Sequence, residues 1–465
     1  MKALSQIQPT REQLALISNT LPGVQLIRGA AGSGKTTTAL LMLHQLSDFW
    51  LRRRERLQLT NRIEILVITF NRTLRGYIED LAKQQIKKSS ALNLEVSTFA
   101  KWAMGCLPPL AILVDYEREA KIKELSATIP LSEDFVIEEV DYILGRFPIN
   151  SLAQYVTCKR IGRGTSTRVE GNLRQRLMDL VVHPYLQWKS QIQKVDWNDV
   201  VFEVSKRSPS MKYDIIIADE AQDLSANQVR AIKKVAADPS SVVFILDAAQ
   251  RIYPRGFTWA EAGVTFRRIH RLYENHRNTK EICSFALPLL DGLEIGDDGT
   301  FPDFHSCKSS GSVPVVIKGL YSQQTEYVLN HIKKKIDLSS ESVAFLKPRG
   351  GSWFDHLRES LRKHSLDYVE LTRQSEWPTG SENIALSTMH SAKGLEFDHV
   401  FILGLNDEVT PHGEDHGDTA LENFRRMLAM AITRARKSVI TGYKPGEASI
   451  LVSFLDPATY REESL

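Results

Sequence analysis

Residues 29–36 read GAAGSGKT, with the apolar Val24, Leu26 and Ile27 before them and Leu40, Leu41, Leu43 and Leu46 at helical spacing after them. No other feature constrains the fold as tightly, because a G-x-x-x-x-G-K-[ST] turn has meaning only between a buried strand and a helix N-terminus. Gly29, Gly32 and Gly34 let the backbone bend until successive N–H groups face a polyphosphate, with Ser33 in the same turn. Lys35 supplies a point charge, and the Thr36 hydroxyl is placed to reach Mg²⁺. The predicted ligand is a nucleoside triphosphate.

At 465 residues the chain exceeds one ordinary core, so two or three domains are expected. A composition 42% hydrophobic and 25% charged reads as soluble and globular. No apolar run approaches the roughly 18 residues that would span a bilayer. The opening MKALSQIQPT holds too little continuous apolar sequence for a signal peptide, so the expected location is the cytoplasm. Cys106, Cys158, Cys283 and Cys307 form no C-x-x-C pair, which argues for reduced structural thiols rather than zinc or an iron–sulfur cluster. A net charge of +3 says little about partners, since a basic groove can be balanced elsewhere.

Along the chain, Thr10 and Gln13 have the spacing of a helix capping box, while the Gln13 amide is equally suited to an adenine edge. Arg52, Arg53, Arg54 and Arg56 read as a solvated helix surface. Residues 63–70 (IEILVITF) form a parallel-strand run ending at Asn71, and a second run ends at Ser97, Thr98 and Phe99. Phe70 and Phe99 fit either a core or a base-stacking platform at the binding edge of the sheet. Residues 103–195 turn helical. Between residues 146 and 176 seven basic side chains (Arg146, Lys159, Arg160, Arg163, Arg168, Arg174, Arg176) face one acid, Glu170, which suits a loop gripping phosphates.

The strand pattern returns in DIIIADEAQD, residues 214–223. Its apolar run delivers adjacent carboxylates, of which Asp219 is the predicted metal ligand and Glu220 the predicted base for the attacking water. VVFIL, residues 242–246, leads to Asp247 and to Gln250, a candidate γ-phosphate sensor. In RIYPRGFTW the aromatics Tyr253, Phe257 and Trp259 interleave with Arg251 and Arg255, as a sequence-tolerant single-strand groove requires. A second α/β segment is expected from residue 266 onward. It has no phosphate loop of its own, so its arginines make sense as groups reaching across to the first.

Taken together these segments resemble the UvrD/Rep branch of superfamily 1 helicases. The matching residues run in order: Gln13, GAAGSGKT, VITFN (67–71), STF (97–99), ADEAQD (218–223), LDAAQRIY (246–253), ENHRN (274–278), TMHSAKGLEF (388–397) and AITRAR (431–436). The resemblance implies an α/β fold of two RecA-like P-loop domains, the first carrying a mostly helical insert. Its boundaries would be 1–102 plus 196–262 for the first domain, 103–195 for a DNA-contacting insert, and 263–465 for the second. It further implies ATP and Mg²⁺ in the cleft, with Gln13 reading adenine, Thr37 at the nucleotide and Glu396 near the ribose. Glu220, Gln250, Arg277 and Arg434 become the catalytic set, the two arginines as fingers. Phe70, Asn71, Thr98, Tyr253 and His390 fall at DNA-contacting positions; Phe99 joins them as a DNA-binding candidate from its strand end, and Phe257 or Trp259 as a substitute for the family's displaced aromatic. The implied activity is single-stranded-DNA translocation or unwinding, 3′ to 5′, with strand junctions among its substrates.

Departures from the family pattern are specific. Ala100 replaces a histidine, Thr37 stands where many relatives have arginine, His276 replaces a tyrosine, and Arg255 occupies a tryptophan position. The large insert that full-length relatives carry in the second half shrinks to a short loop near residues 372–383. That absence supports an alternative, an ATP-binding DNA sensor or regulatory subunit of an anti-phage type complex with a nuclease partner. Remodelling of transcription complexes is a third reading. The chain ends soon after Tyr443, which argues against an appended nuclease.

Overall fold

The computed structural model describes the chain apart from residues 1–8, 30–32, 70–74, 77, 80–81, 84–88, 161–168, 208–210, 247–255, 273–274, 276, 294–306, 308, 349–350, 372–377, 379 and 410–418. Helix α1 (Arg11–Ile17) precedes a sheet of six strands: β1 (Gly23–Gly29), β2 (Ile63–Thr69), β3 (Leu92–Thr98), β4 (Tyr213–Ala218), β5 (Ala236–Leu246) and β6 (Arg268–Leu272). Their spatial order is β3-β2-β4-β5-β1-β6, with every neighbouring pair parallel. A parallel sheet is covered on both faces, which explains the unbroken apolar runs of β2 and β4. Successive residues alternate between the two cores. Ile65, Val67, Ile215 and Ile217 face helix α2 (Lys35–Arg56) through its Leu43, Leu46 and Trp50. Leu66, Ile68, Ile216 and Phe244 face Trp102, Val200, Val229 and Ile232 on the opposite side. Trp50 Nε1 donates to Ser241 Oγ at 3.0 Å, tying α2 to β5.

The second sheet contains β7 (Val315–Lys318), β8 (Val343–Lys347), β9 (Val369–Glu370), β10 (Ile384–Thr388), β11 (Phe397–Ile402), β12 (Ala435–Tyr443) and β13 (Arg461–Ser464). It too is parallel, in the order β13-β7-β12-β11-β8-β10-β9. The helices Tyr321–Lys335 and Asp355–Lys363 cover one face through Val328, Leu329, Leu357 and Leu361. On the other face Leu428 and Ile432 join a cluster that continues into Ile27 and Leu43 of the first domain. The two halves share apolar packing as well as polar contacts.

One expected boundary is corrected. Residues 268–272, placed by sequence in the second domain, pair with β1 from Gln25↔Arg268 to Gly29↔Leu272, so the first domain extends through β6. The run is short and largely exposed, and only its sheet partner shows to which half it belongs.

The helices Asp115–Ser126, Glu133–Arg146, Gly171–Leu177 and His183–Gln191 enclose a core of their own around Val140, Ile143, Tyr155, Val181 and Tyr185. Asn227 Nδ2 fastens this unit to the first domain by donating to Leu144 O and Phe147 O, each at 2.8 Å. Four of the basic side chains expected to grip phosphate are engaged internally. Arg146 pairs with Glu261 and Arg160 with buried Glu139, while Arg174 donates to Cys158 O at 2.6 Å and Arg176 to Thr128 O at 2.7 Å. Arg163 and Arg168 lie outside the described residues. Among the described residues no helix is long and apolar enough to cross a membrane.

Candidate nucleotide cleft

β1 ends at Gly29 and α2 begins at Lys35, so the phosphate-loop residues sit where a central strand gives way to a helix N-terminus. Gly34 adopts φ 72°, a left-handed backbone that strains any larger residue, and a Cβ there would lie 2.4 Å from Gln13 Nε2 and displace that side chain. Gln13 takes its capping-box role, and its amide also reaches this loop. Its Oε1 accepts from Thr10 N at 3.0 Å in a complete capping box, and its Nε2 donates to Ser33 O at 3.3 Å. Lys35 Nζ donates to Gly29 O at 2.8 Å, and Thr36 Oγ1 donates to Asp219 Oδ2 at 2.8 Å. Thr37 follows, half-buried, in the first turn of α2.

Asp219 and Glu220 emerge from β4, and the Asp219 N–H donates to Ile68 O of β2 at 2.9 Å. Glu220 is left-handed, with φ 53° and ψ 39°. For a residue with a Cβ this conformation costs on the order of 1–3 kcal/mol and is retained where the surroundings enforce it. Both side chains are buried. Burial, then repulsion from Glu220, pushes the Asp219 carboxyl up to about 7. Burial would raise Glu220 as well, but Lys393, Arg434 and Lys35 outweigh it and hold that carboxylate below its ordinary range. Cationic compensation is thus concentrated on Glu220, while the Thr36 hydroxyl lies on the Asp219 side. Oxygen donors without a protein cage suit Mg²⁺ that keeps phosphate and water ligands. Among the described residues no group of three or more His, Cys, Asp and Glu side chains could hold a metal ion.

The second domain sends two cations, Lys393 and Arg434, toward this point, and a third, Arg277, pairs with Glu396. Lys393, in the turn after β10, forms an ion pair with Asp223 and lies 3.6 Å from Glu220 Oε2. Arg434, 2% exposed, donates through Nε to Met430 O at 3.1 Å and through Nη1 to Leu395 O at 3.4 Å. Its charge bears on both Glu220 and Glu396. Arg277 pairs with Glu396, and its own N–H donates to Asn275 Oδ1 at 3.0 Å. Asn278 anchors the same segment by donating to Thr433 O at 3.0 Å and Ala435 O at 2.6 Å.

Some sequence-derived sites are relocated. Phe99, expected at a DNA-contacting edge, packs edge-on against Trp102 at 5.4 Å, while Thr98 caps the following helix by accepting from Lys101 N at 3.3 Å. Phe257 and Trp259 are each 8% exposed, and Trp259 packs 5.1 Å from Phe244 and 5.0 Å from Phe266. Burial gives Phe99 the core role, one of its two readings, and corrects Phe257 and Trp259 from stacking platforms to core residues. His390 stands exposed, its pKa depressed by nearby packing and then by Lys393. Gly32, Phe70, Asn71, Gln250, Tyr253 and His276 lie outside the described residues. Sequence reasoning singled out neither Lys393, Asp223 and Gln222 nor the bracing residues Asn275 and Asn278. All five lie inside the quoted motifs, yet nothing in their spacing says that they meet.

Two parallel-sheet domains around one phosphate-loop cleft place the chain in the class of RecA-like P-loop proteins. Residues 10–267 match the family described as UvrD/REP helicase N-terminal domain, and residues 317–444 match the UvrD-like helicase C-terminal domain. The chain belongs to the UvrD/Rep family, a class of ATP-dependent DNA helicases. It is similar to a probable DNA helicase of Mycoplasma pneumoniae, 23% identical over 445 residues, covering 89% of this chain and 79% of that protein. A probable DNA helicase II homolog of Mycoplasma capricolum is 26% identical over 200 residues, covering 43% of this chain and 24% of that protein. The ATP-dependent DNA helicase PcrA of Bacillus subtilis is 39% identical over 74 residues, covering 16% of this chain and 10% of that protein.

Proposed function

We propose that the protein is an ATP-driven translocase on single-stranded DNA that unwinds junctions in the 3′ to 5′ direction. The observation that carries this reading is that buried Glu220 is compensated from both halves, by Lys35 of the first domain and by Arg434 and Lys393 of the second, Lys393 standing 3.6 Å away. A carboxylate whose ionisation depends on both halves can be tuned by their relative position. Lys35 and the turn N–H groups would hold the phosphates, Thr36 and Asp219 would hold Mg²⁺, and Glu220 would accept the proton of the attacking water. Arg277 and Arg434 would neutralise charge developing on the γ-phosphate, with Gln250 as its sensor. Closure on ATP and reopening after hydrolysis would then move the domains along the strand. Asn71, Thr98, Tyr253 and His390 remain the proposed strand contacts, with a cytoplasmic location.

The test is ATP hydrolysis with and without single-stranded DNA. Lys35→Ala and Glu220→Gln should each abolish stimulated turnover, and unchanged turnover in either removes the catalytic assignment. The short link from β9 to β10 supports the second reading, a nucleotide-gated DNA sensor working with a nuclease partner. Robust strand displacement by the isolated chain favours the motor, whereas hydrolysis without displacement until a partner is added favours the sensor.

A further inference from the structure

We infer that Lys393 is the positioning residue through which the second domain orients Glu220, and that its turn carries strand binding at His390 to the nucleotide cleft. This rests on the helicase reading above and adds a route between its two ligands.

Lys393 leaves the second domain and buries its ammonium in the first, with 1% of the side chain exposed. It meets the acidic turn after β4 at both ends, pairing with Asp223 and standing 3.6 Å from Glu220 Oε2. The turn is closed by Asp223 N donating to Glu220 O at 3.0 Å. Glu220 Oε2 also accepts from Gln222 Nε2, so that oxygen is held by a neutral donor of its own domain and a cation of the other. Since Glu220 is left-handed, its carboxylate direction depends on these contacts rather than on a relaxed backbone.

At its other end the ammonium is tied to a tight turn. Lys393 N donates to His390 O at 3.2 Å, Ala392 N to Thr388 O at 3.0 Å, and Ser391 N to Thr388 Oγ1 at 3.1 Å. This turn starts from the last residue of β10, with His390 on its exposed side and Lys393 on its buried side. A strand that shifts His390 therefore shifts Lys393 against Glu220. The depressed pKa of His390, caused in part by the Lys393 ammonium, shows that the two groups already feel each other.

A simpler role, neutralising buried Asp223, would leave catalysis untouched once both charges are removed together. The full chain carrying Lys393→Met with Asp223→Asn leaves no unpaired charge at position 223, while Glu220 keeps Arg434 and Lys35 as its remaining cations. It should bind a fluorescent ATP analogue and oligothymidylate with near wild-type affinity. Its strand-stimulated kcat should fall by at least about tenfold with little change in KM, the split expected when a base is misplaced rather than a site lost. His390→Ala should lower stimulation in the wild type and add nothing in the double variant. If the double variant does not fold, Lys393→Arg decides. It still neutralises Asp223 but presents a broader, planar group to Glu220, and stimulation should drop by about threefold or more. A strand-stimulated wild type alongside an equally stimulated Lys393 variant overturns this inference alone. A wild type whose hydrolysis ignores the strand overturns the helicase reading, and this inference with it.

Discussion

Gly34 and Trp259 mark opposite outcomes of reading single residues. At Gly34 the motif spacing requires a glycine, and the reason is visible as a left-handed φ of 72° with Gln13 Nε2 only 2.4 Å from where a Cβ would stand. Gly34→Ala should weaken nucleotide binding by at least about tenfold, because a Cβ strains the left-handed backbone and pushes the Gln13 amide away from the loop. Equilibrium titration with a fluorescent nucleotide measures this, and wild-type affinity would contradict it. Trp259 lies among arginines in sequence and among Phe244, Phe257 and Phe266 in space. Trp259→Ala should destabilise the first domain by about 3–5 kcal/mol while leaving strand affinity of the folded protein unchanged. Urea unfolding and DNA anisotropy separate the two effects. Alternation of aromatic and basic residues cannot distinguish these roles, since both a core turn and a stacking groove produce it.

Strands were the most legible elements, because β2, β4 and the second half of β5, residues 242–246, bury both faces in near-continuous apolar runs. Edge elements were harder. β6 is exposed at most positions, and its assignment to the first sheet depends on pairing with β1. β8 ends in Lys347, whose ammonium lies 4.0 Å from the centre of the Tyr321 ring. Burial, only partly offset by Glu408, lowers its pKa from 10.5 to about 8. Between pH 8 and 10.5 the unfolded chain keeps a proton that folded Lys347 has released, so this group makes stability rise with pH across that window. Lys347→Met lacks the gain. The unfolding free energy of wild type minus variant should climb from pH 8 to 10.5, and a flat difference would show that the ammonium is not desolvated.

At the scale of the molecule the domains meet through a shared apolar cluster and through buried charges, Lys393 from one half against Glu220 and Asp223 of the other. Arg434→Lys retains charge but loses the fork that grips Met430 O and Leu395 O. It should lower strand-stimulated kcat by about a thousandfold, the lower range for loss of an arginine finger, with ATP binding largely retained. Single-turnover kinetics beside nucleotide titration measures both. Strand affinity should fall steeply with salt, with a logarithmic slope of about −0.7 for each phosphate contacted. A salt-independent affinity would mean that the phosphate backbone is not what the protein holds.

Local order and chemistry were readable in the linear chain. A glycine turn between strand and helix, and carboxylates ending an apolar run, state their purpose through spacing that the backbone converts directly into geometry. The two-domain α/β plan followed from the motif order. Which buried groups meet was decided only by tertiary packing. Lys393 and Asp223 are far apart in sequence, Arg174 turns inward to backbone carbonyls, and Phe257 faces a core. Side-chain direction and charge pairing depend on what the rest of the fold brings within a few ångströms, and that neighbourhood is absent from any short stretch of residues.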